Sequence, residues 1–237
     1  MRPGGTLLEA RGLARAFGGL KAVAGVDLDL ARGEVHALIG PNGAGKTTLV
    51  SLLCGRLLPD AGTIRFEGRD VTRQPAEARV RAGIAYTFQV TSIYPRLRVF
   101  DNVALAVQRT GAAHRDAATF AALARVGLED RAAERAGTLA YGHQRLLEVA
   151  MGLALRPRLL ILDEPTQGLS EGEIAAFKGL VREIAATATV LLIEHNMDVV
   201  MDLADRITVL ELGRTLATGT PAEIRANPAV QAAYLGA

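Results

Sequence analysis

Gly40-Pro41-Asn42-Gly43-Ala44-Gly45-Lys46-Thr47-Thr48 fits the pattern G-x-x-x-x-G-K-[ST] without a mismatch. Its glycines let backbone N–H groups approach a ligand that a Cβ would hold off. Glu34 to Ile39, before it, reads as a buried strand, and Lys46 to Leu57, after it, reads as a helix. A helix starting there aims the positive end of its dipole at the loop, which is the setting for phosphate oxygens. The expected nucleotide-binding residues are Asn42, Gly43, Ala44, Gly45, Lys46, Thr47 and Thr48. Lys46 is a point charge for β- and γ-phosphates, and the Thr47 hydroxyl is a hard oxygen ligand suited to Mg²⁺. The alternative is a glycine-rich turn that merely precedes a helix; the strand–loop–helix context favours the phosphate cradle.

Leu159-Leu160-Ile161-Leu162-Asp163-Glu164 is an apolar run ending in two acids. A strand buried on both faces delivers carboxylates at its C-terminal edge, beside a phosphate loop in a parallel sheet. Asp163 is the candidate Mg²⁺ ligand, and Glu164 the group that orients or deprotonates the attacking water. Adjacent residues of a strand point to opposite sides, so the two acids are expected to do different work.

Around these motifs strand-like and helix-like stretches alternate, which favours α/β architecture. Val26 to Leu30 alternates apolar and acidic residues, as an antiparallel strand with one solvated face does. Leu58 to Gly62 is turn chemistry, and Thr63 to Phe66 and Val71 flank Glu67-Gly68-Arg69-Asp70 as a small hairpin. Ile84 to Phe88 and Val190 to Ile193 read as further strands. Residues 100 to 157 are Ala-rich, with Phe120, Leu123 and Val126 at helical spacing. Arg206 to Leu210 and Thr215 to Thr218 return to strands, and a short helix follows Pro221. The expected fold over residues 1–237 is α/β: a P-loop NTPase core with a parallel central sheet, an N-terminal antiparallel β subdomain and a helical subdomain (about 98–157) inserted into it.

Composition removes several classes of function. The chain has 27 Lys and Arg against 25 Asp and Glu, so no strongly basic nucleic-acid surface is expected. The single cysteine, Cys54, permits neither an intramolecular disulfide nor a cysteine zinc site, and reads as a small core residue on the helix after the loop. No His, Cys and carboxylate cluster has metal-ligand spacing, so Mg²⁺ is the metal expected; His36 reads as a core strand residue and His114 as helical. Met1 to Gly12 lacks an apolar stretch of signal-peptide length, and no uninterrupted apolar run reaches the ~18 residues of a membrane helix. Any membrane-spanning part is expected on other chains.

With these motifs in order, the sequence resembles the ATP-binding subunits of ABC transporters over nearly its whole length. Leu139-Ala140-Tyr141-Gly142-His143-Gln144-Arg145 is similar to that family's signature, usually L-S-G-G-Q. Gln89, after Tyr86-Thr87-Phe88, matches the Q-loop glutamine; Thr166-Gln167-Gly168-Leu169-Ser170 matches the D-loop; His195 matches the switch histidine. Phe17 matches the aromatic that stacks on adenine. The resemblance implies that Gln89 touches Mg²⁺ or water, and that His195 donates to the γ-phosphate. It also implies that Leu139, Ala140, Tyr141, Gly142 and His143 serve the nucleotide of a second ATP-binding subunit. On chemistry alone His195 reads equally as a surface loop histidine, and Phe17 as a core or strand-edge residue.

Within that family, Phe17 to Val23, Thr87 to Val103, Gln144 to Met151 and Thr220 to Leu235 resemble the ATPase subunits of branched-chain amino acid importers. Urea importers and lipopolysaccharide-export ATPases look alike over much of this length, so substrate is read by analogy. The resemblance implies two integral-membrane permease subunits, indirect dependence on a substrate-binding protein, and a peripheral place on the cytoplasmic face of the inner membrane. A short permease helix is expected in a groove beside Gln89, near Ile93, Tyr94, Pro95, Leu97 and Phe100; the alternative is that these five pack internally. DNA-repair and chromosome ATPases would carry sustained heptads between residues 46 and 139, and none is present.

Three departures stand out, one of them Ser170 in place of the D-loop Asp of many ABC ATPases, where related importers also vary. Ala140 replaces the signature serine, and His143 its final Gln or Glu, whereas Lys46, Thr47, Gln89, Asp163, Glu164 and His195 are intact. The altered groups are those that reach a partner's nucleotide, so a heterodimer with a different ATPase subunit is expected, with a homodimer as the alternative.

Overall fold

The computed structural model describes residues 5–87 and 92–235. From the N-terminus, β1 (Thr6–Phe17) and β2 (Leu20–Ala31) form a hairpin, β3 (Val35–Ile39) enters the core, and α1 (Lys46–Leu53) follows the glycine-rich loop. Next come β4 (Ala61–Phe66), β5 (Arg69–Asp70), α2 (Ala76–Ala82) and β6 (Ile84–Tyr86). α3 (Val99–Gln108), α4 (Arg115–Arg125) and α5 (Tyr141–Ala154) lie between β6 and β7 (Leu159–Asp163). The chain finishes with α6 (Glu171–Ala185), β8 (Thr189–Ile193), α7 (Met197–Leu203), β9 (Arg206–Glu211), β10 (Arg214–Gly219), α8 (Pro221–Ala226) and α9 (Pro228–Leu235).

A six-stranded sheet has the order β10-β9-β3-β8-β7-β6, parallel except for the β9–β10 hairpin. β3, β7 and β8 are buried at every position, which accounts for their unbroken apolar runs. One face of β7 and β8 (Leu160, Leu162, Val190, Leu192) packs with α5 and α6, and the other (Leu159, Ile161, Leu191, Ile193) with α1 and the first sheet. That first sheet is antiparallel, in the order β2-β1-β4-β5. In β2, Val26, Leu28 and Leu30 are buried while Asp27 and Asp29 face solvent, where they accept from Gly12 N and the Arg11 guanidinium.

Four expectations are corrected. The helix after the loop stops at Leu53, not Leu57, because Gly55 takes a φ of +81° that ends it. Behind that end Arg79 is fully buried, donating to Leu52 O at 2.6 Å, Leu53 O at 2.8 Å and Thr72 O at 3.0 Å. Val71 falls outside the β4–β5 hairpin, whose turn is Glu67-Gly68, both at positive φ as a tight two-residue turn requires. His114 precedes α4 at its N-cap rather than lying in the helix. Glu164 is not part of the strand at all: β7 ends at Asp163, and Glu164 has a φ of +50°. The two acids therefore diverge through a left-handed turn rather than strand alternation. Cys54 is buried at the end of α1, and His36 is buried between Glu34 and Thr208.

Candidate active site

The loop between β3 and α1 is held open by its glycines. A Cβ on Gly40 would come within 2.3 Å of Leu210 O, and one on Gly45, at φ +101°, within 2.3 Å of Ala22 O. The loop thus lies directly against β9 and β2 and borders a cleft of about 580 Å³. Asn42, Gly43, Ala44, Gly45, Lys46, Thr47 and Thr48 line that cleft, together with Asp163, Glu164 and His195. Residues from three separate strand ends meet there because β3, β7 and β8 are parallel neighbours and present their C-terminal edges on one side.

Lys46 Nζ donates to Gly40 O at 2.6 Å and Pro41 O at 3.1 Å, so the ammonium is held inside the loop. Burial pulls it below the ordinary lysine value, and the Glu164 and Asp163 carboxylates oppose that shift. Burial pushes the Asp163 carboxyl up; the Tyr86 hydroxyl, donating to Oδ2 at 2.8 Å, acts the other way. The Tyr86 phenol is itself raised by burial and by Asp163, so it stays a donor. Glu164 Oε1 lies 2.9 Å from His195 Nε2. Its left-handed backbone is fixed by Glu164 N donating to Ile193 O at 2.8 Å, a strained conformation of the kind that collects at functional sites.

Among the described residues no group of three or more His, Cys, Asp or Glu is placed to hold a metal ion alone. The hard oxygens that do face the cleft, from Thr47 and Asp163, suit a Mg²⁺ that takes its remaining ligands from phosphates and water.

Glu194 was not singled out by the sequence. It is buried, Oε1 accepting from Thr166 N and Oγ1, and Oε2 from His195 N at 2.9 Å and Asn196 N at 3.2 Å. One carboxylate thus ties His195 to the segment 166–170; an apolar strand ending in Glu-His was the only signal available. Gln89 lies outside the described residues. Phe17 is 44% exposed at the end of β1, under the Arg15 guanidinium at 5.0 Å, and is not among the residues lining the cleft; Leu20, Lys21, Ala22 and Leu212 are.

The segment Leu139 to His143 is apart from this cleft. Leu139 is buried, and Ala140 occupies the N-cap of α5 with no side-chain cap. Tyr141 donates to Gln167 Oε1 at 3.2 Å, a Cβ on Gly142 would meet Leu169 at 2.7 Å, and His143 Nε2 lies 3.4 Å from Glu173. Tyr141 and Gly142 pack on Gln167–Leu169 and His143 on Glu173 of the same chain, and the helix N-terminus has no side-chain cap.

A second groove, of about 500 Å³, is lined by Tyr86, Ser92, Tyr94, Leu105, Glu148 and Met151 among others. It divides the five apolar residues named above: Ile93 and Phe100 pack against the core, while Tyr94 is exposed on the groove. Glu148 is buried, accepting from Ser92 N at 2.5 Å and from Arg145 at 3.1 Å.

Comparison with known proteins agrees with this geometry. The ABC transporter family model matches residues 23–167, and a model described as branched-chain amino acid ATP-binding cassette transporter matches residues 214–237. The chain is 41% identical to the high-affinity branched-chain amino acid transport ATP-binding protein BraF of Pseudomonas aeruginosa, over 97% of this chain and 98% of that protein. It is 40% identical, with the same coverage, to LivG of Escherichia coli, which has the same description. Among solved structures, an ATP-binding cassette of an ABC transporter in its ADP conformation is 27% identical, with a TM-score of 0.87 over 98% of this chain and all of the other. A nucleotide-free ATP-binding cassette gives 26% and 0.88, again over 98% of this chain and all of that one.

Proposed function

The chain belongs to the ABC transporter family of ATP-binding proteins, and from that premise we propose that it hydrolyses ATP to drive a membrane importer of branched-chain amino acids. The observation that carries the chemistry is the convergence of Lys46, Thr47, Asp163, Glu164 and His195 on one cleft. The import of branched-chain amino acids is supported by the C-terminal match and by relatives aligned end to end.

Backbone N–H groups of residues 42–48 and the Lys46 ammonium bind the β- and γ-phosphates. The Thr47 hydroxyl and Asp163 carboxylate hold Mg²⁺, with Gln89 assigned to it by motif; the ion, when bound, neutralises charge on the transferring phosphoryl group. Glu164 orients the attacking water and takes its proton. His195, held at the edge of β8 by Glu194, keeps Glu164 in place through Nε2 in the free chain and turns that N–H to the γ-phosphate when ATP is bound. Phe17 is proposed to stack on the adenine from the rim of the cleft.

The uncapped N-terminus of α5 at Leu139–His143 is not part of this chain's own cleft, which supports a composite site with a second ATP-binding subunit. ATP then bridges two positive surfaces, and closure and reopening of the pair follow binding and hydrolysis. Ala140 lacks the hydroxyl that the family places there, which favours a partner subunit with a complete signature. The groove at Tyr94, Leu105 and Glu148 is proposed to receive a short helix from one of two permease subunits, placing the chain peripherally on the cytoplasmic face of the inner membrane. No helix among the described residues is long and apolar enough to cross a membrane.

The deciding experiment is co-purification from membranes with identification of the bound permease and ATPase subunits, followed by leucine uptake in proteoliposomes. ATP-dependent uptake that fails with Glu164→Gln supports the reading; ATP hydrolysis coupled to uptake of an unrelated solute overturns the substrate.

A further inference from the structure

Leu212 and Leu20 are the two most exposed large apolar side chains among those described, at 83% and 73%. Both line the phosphate cleft, one from the β9–β10 turn and one from the β1–β2 hairpin. Leu212 also has a φ of +47°, a region that favours Gly or Asn, so the chain tolerates both strain and an exposed isobutyl group at one position. The turn that carries it cannot drift. Gly213 N donates to Ala44 O at 3.0 Å, and Ala24 N donates to Gly213 O at 2.8 Å, so the turn is bonded to the phosphate loop and to β2 together. Gly213 is packed so closely that a Cβ would come within 2.9 Å of Ala22 O.

We propose that Leu212 and Leu20 together supply the aliphatic half of a clamp for the nucleotide base, Phe17 taking the opposite face, with Leu212 held at a fixed distance from the phosphate cradle. The inference rests on the reading of the cleft as a nucleotide site and adds residues to it. A purine offers two flat apolar faces, and an apolar surface that is exposed in the free protein is covered when a base lies against it. Leu212 approaches from the C-terminal hairpin, a part of the chain that none of the nucleotide motifs includes. Aliphatic contact reads the faces of a base and not its hydrogen-bonding edges, so the clamp holds adenine and guanine alike.

The test measures equilibrium binding of Mg·ATP, Mg·GTP and Mg·tripolyphosphate, which has neither base nor sugar, to the full-length chain and its Leu212→Gly, Leu212→Asn and Leu20→Ala variants. Both Leu212 substitutions suit the left-handed backbone, so melting temperatures are expected to hold or rise. Each variant should weaken ATP and GTP about five- to tenfold and leave tripolyphosphate within about twofold. Unchanged ATP affinity in both Leu212 variants overturns the clamp alone. Unchanged affinity accompanied by a loss of turnover that depends on protein concentration also overturns it, by assigning Leu212 to a subunit contact. Failure of the unaltered chain to bind ATP overturns the site reading and the clamp with it.

Discussion

Glu164 Oε1 and His195 Nε2 lie 2.9 Å apart, each just beyond the end of one of two neighbouring parallel strands. The pair is built from main-chain geometry: Glu164 is turned by a positive φ, and His195 is held through its N–H by Glu194. Glu164→Gln should keep ATP binding and lower turnover by about 10²–10⁴-fold, the range for loss of a positioned base. Phosphate release and calorimetric ATP binding check the two halves separately. A normal rate would assign the base to another residue.

Lys46 donates only to carbonyls of its own loop, so its removal should spare the fold. Lys46→Ala is expected to weaken ATP binding by about 10–100-fold, the equivalent of one charge-assisted hydrogen bond of about 1.5–3 kcal/mol. Equilibrium dialysis with ATP, alongside a melting curve, separates lost binding from lost structure.

On the proposed reading, the oxygens of Thr47 and Asp163 would bind a divalent ion only with the help of phosphates. Chelation should therefore abolish hydrolysis while leaving the melting temperature of the nucleotide-free chain unchanged, and added Mg²⁺ should restore the rate. A chelator-induced fall in that melting temperature would point to a resident structural metal.

Ala140 leaves the N-terminus of α5 without a side-chain cap. If the chain forms homodimers, Ala140→Ser should raise their turnover about two- to tenfold, the worth of one neutral hydrogen bond of about 0.5–1.5 kcal/mol. Steady-state rates on the purified variant test this. An unchanged rate in an already active homodimer would remove the case for a different partner.

Ser170 and Glu173 form a capping box at the start of α6, with Ser170 accepting from Glu173 N and Glu173 accepting from Ser170 N at 2.7 Å. Ser170→Ala should cost about 1 kcal/mol in a denaturant titration. The Ser170 hydroxyl and N–H hold the Glu173 carboxyl below its usual 4.5. A depressed folded value means that the contribution is present above pH 4.5 and lost as pH falls through that lower value. Glu173→Gln should thus lower the melting temperature at neutral pH, with the difference shrinking as the pH is taken below 4.5.

The phosphate loop and the apolar strands β3, β7 and β8 were legible because their determinants are local: glycines where a Cβ would collide, and unbroken apolar runs where both faces are covered. Other parts depend on distant partners. The stop of α1 at Leu53, four residues short of the expected Leu57, is set by Gly55 together with the buried Arg79, a residue of α2 whose place there no local pattern encodes. Glu194 looked like the end of a strand, and only the packing of residues 166–170 against it reveals four accepted hydrogen bonds. Phe17 could be assigned to the nucleotide by motif alone; whether its ring reaches the cleft depends on the twist of the β1–β2 hairpin, which no spacing encodes. α2, α6 and α7 went unread, although the Ser170 and Glu173 pair was a visible start signal for α6.

Arg79 bears on the cradle from the opposite end of α1. That helix has eight residues, too few to persist on its own, and the guanidinium occupies the carbonyls of its last turn while its first turn lines the cleft. Damage at Arg79 would travel lengthwise along this short rod and surface as slack in the grip on ATP, with no altered atom anywhere near the ligand. A change in nucleotide affinity in such a chain can therefore be sought at the silent end of the rod as well as at the end that lines the cleft.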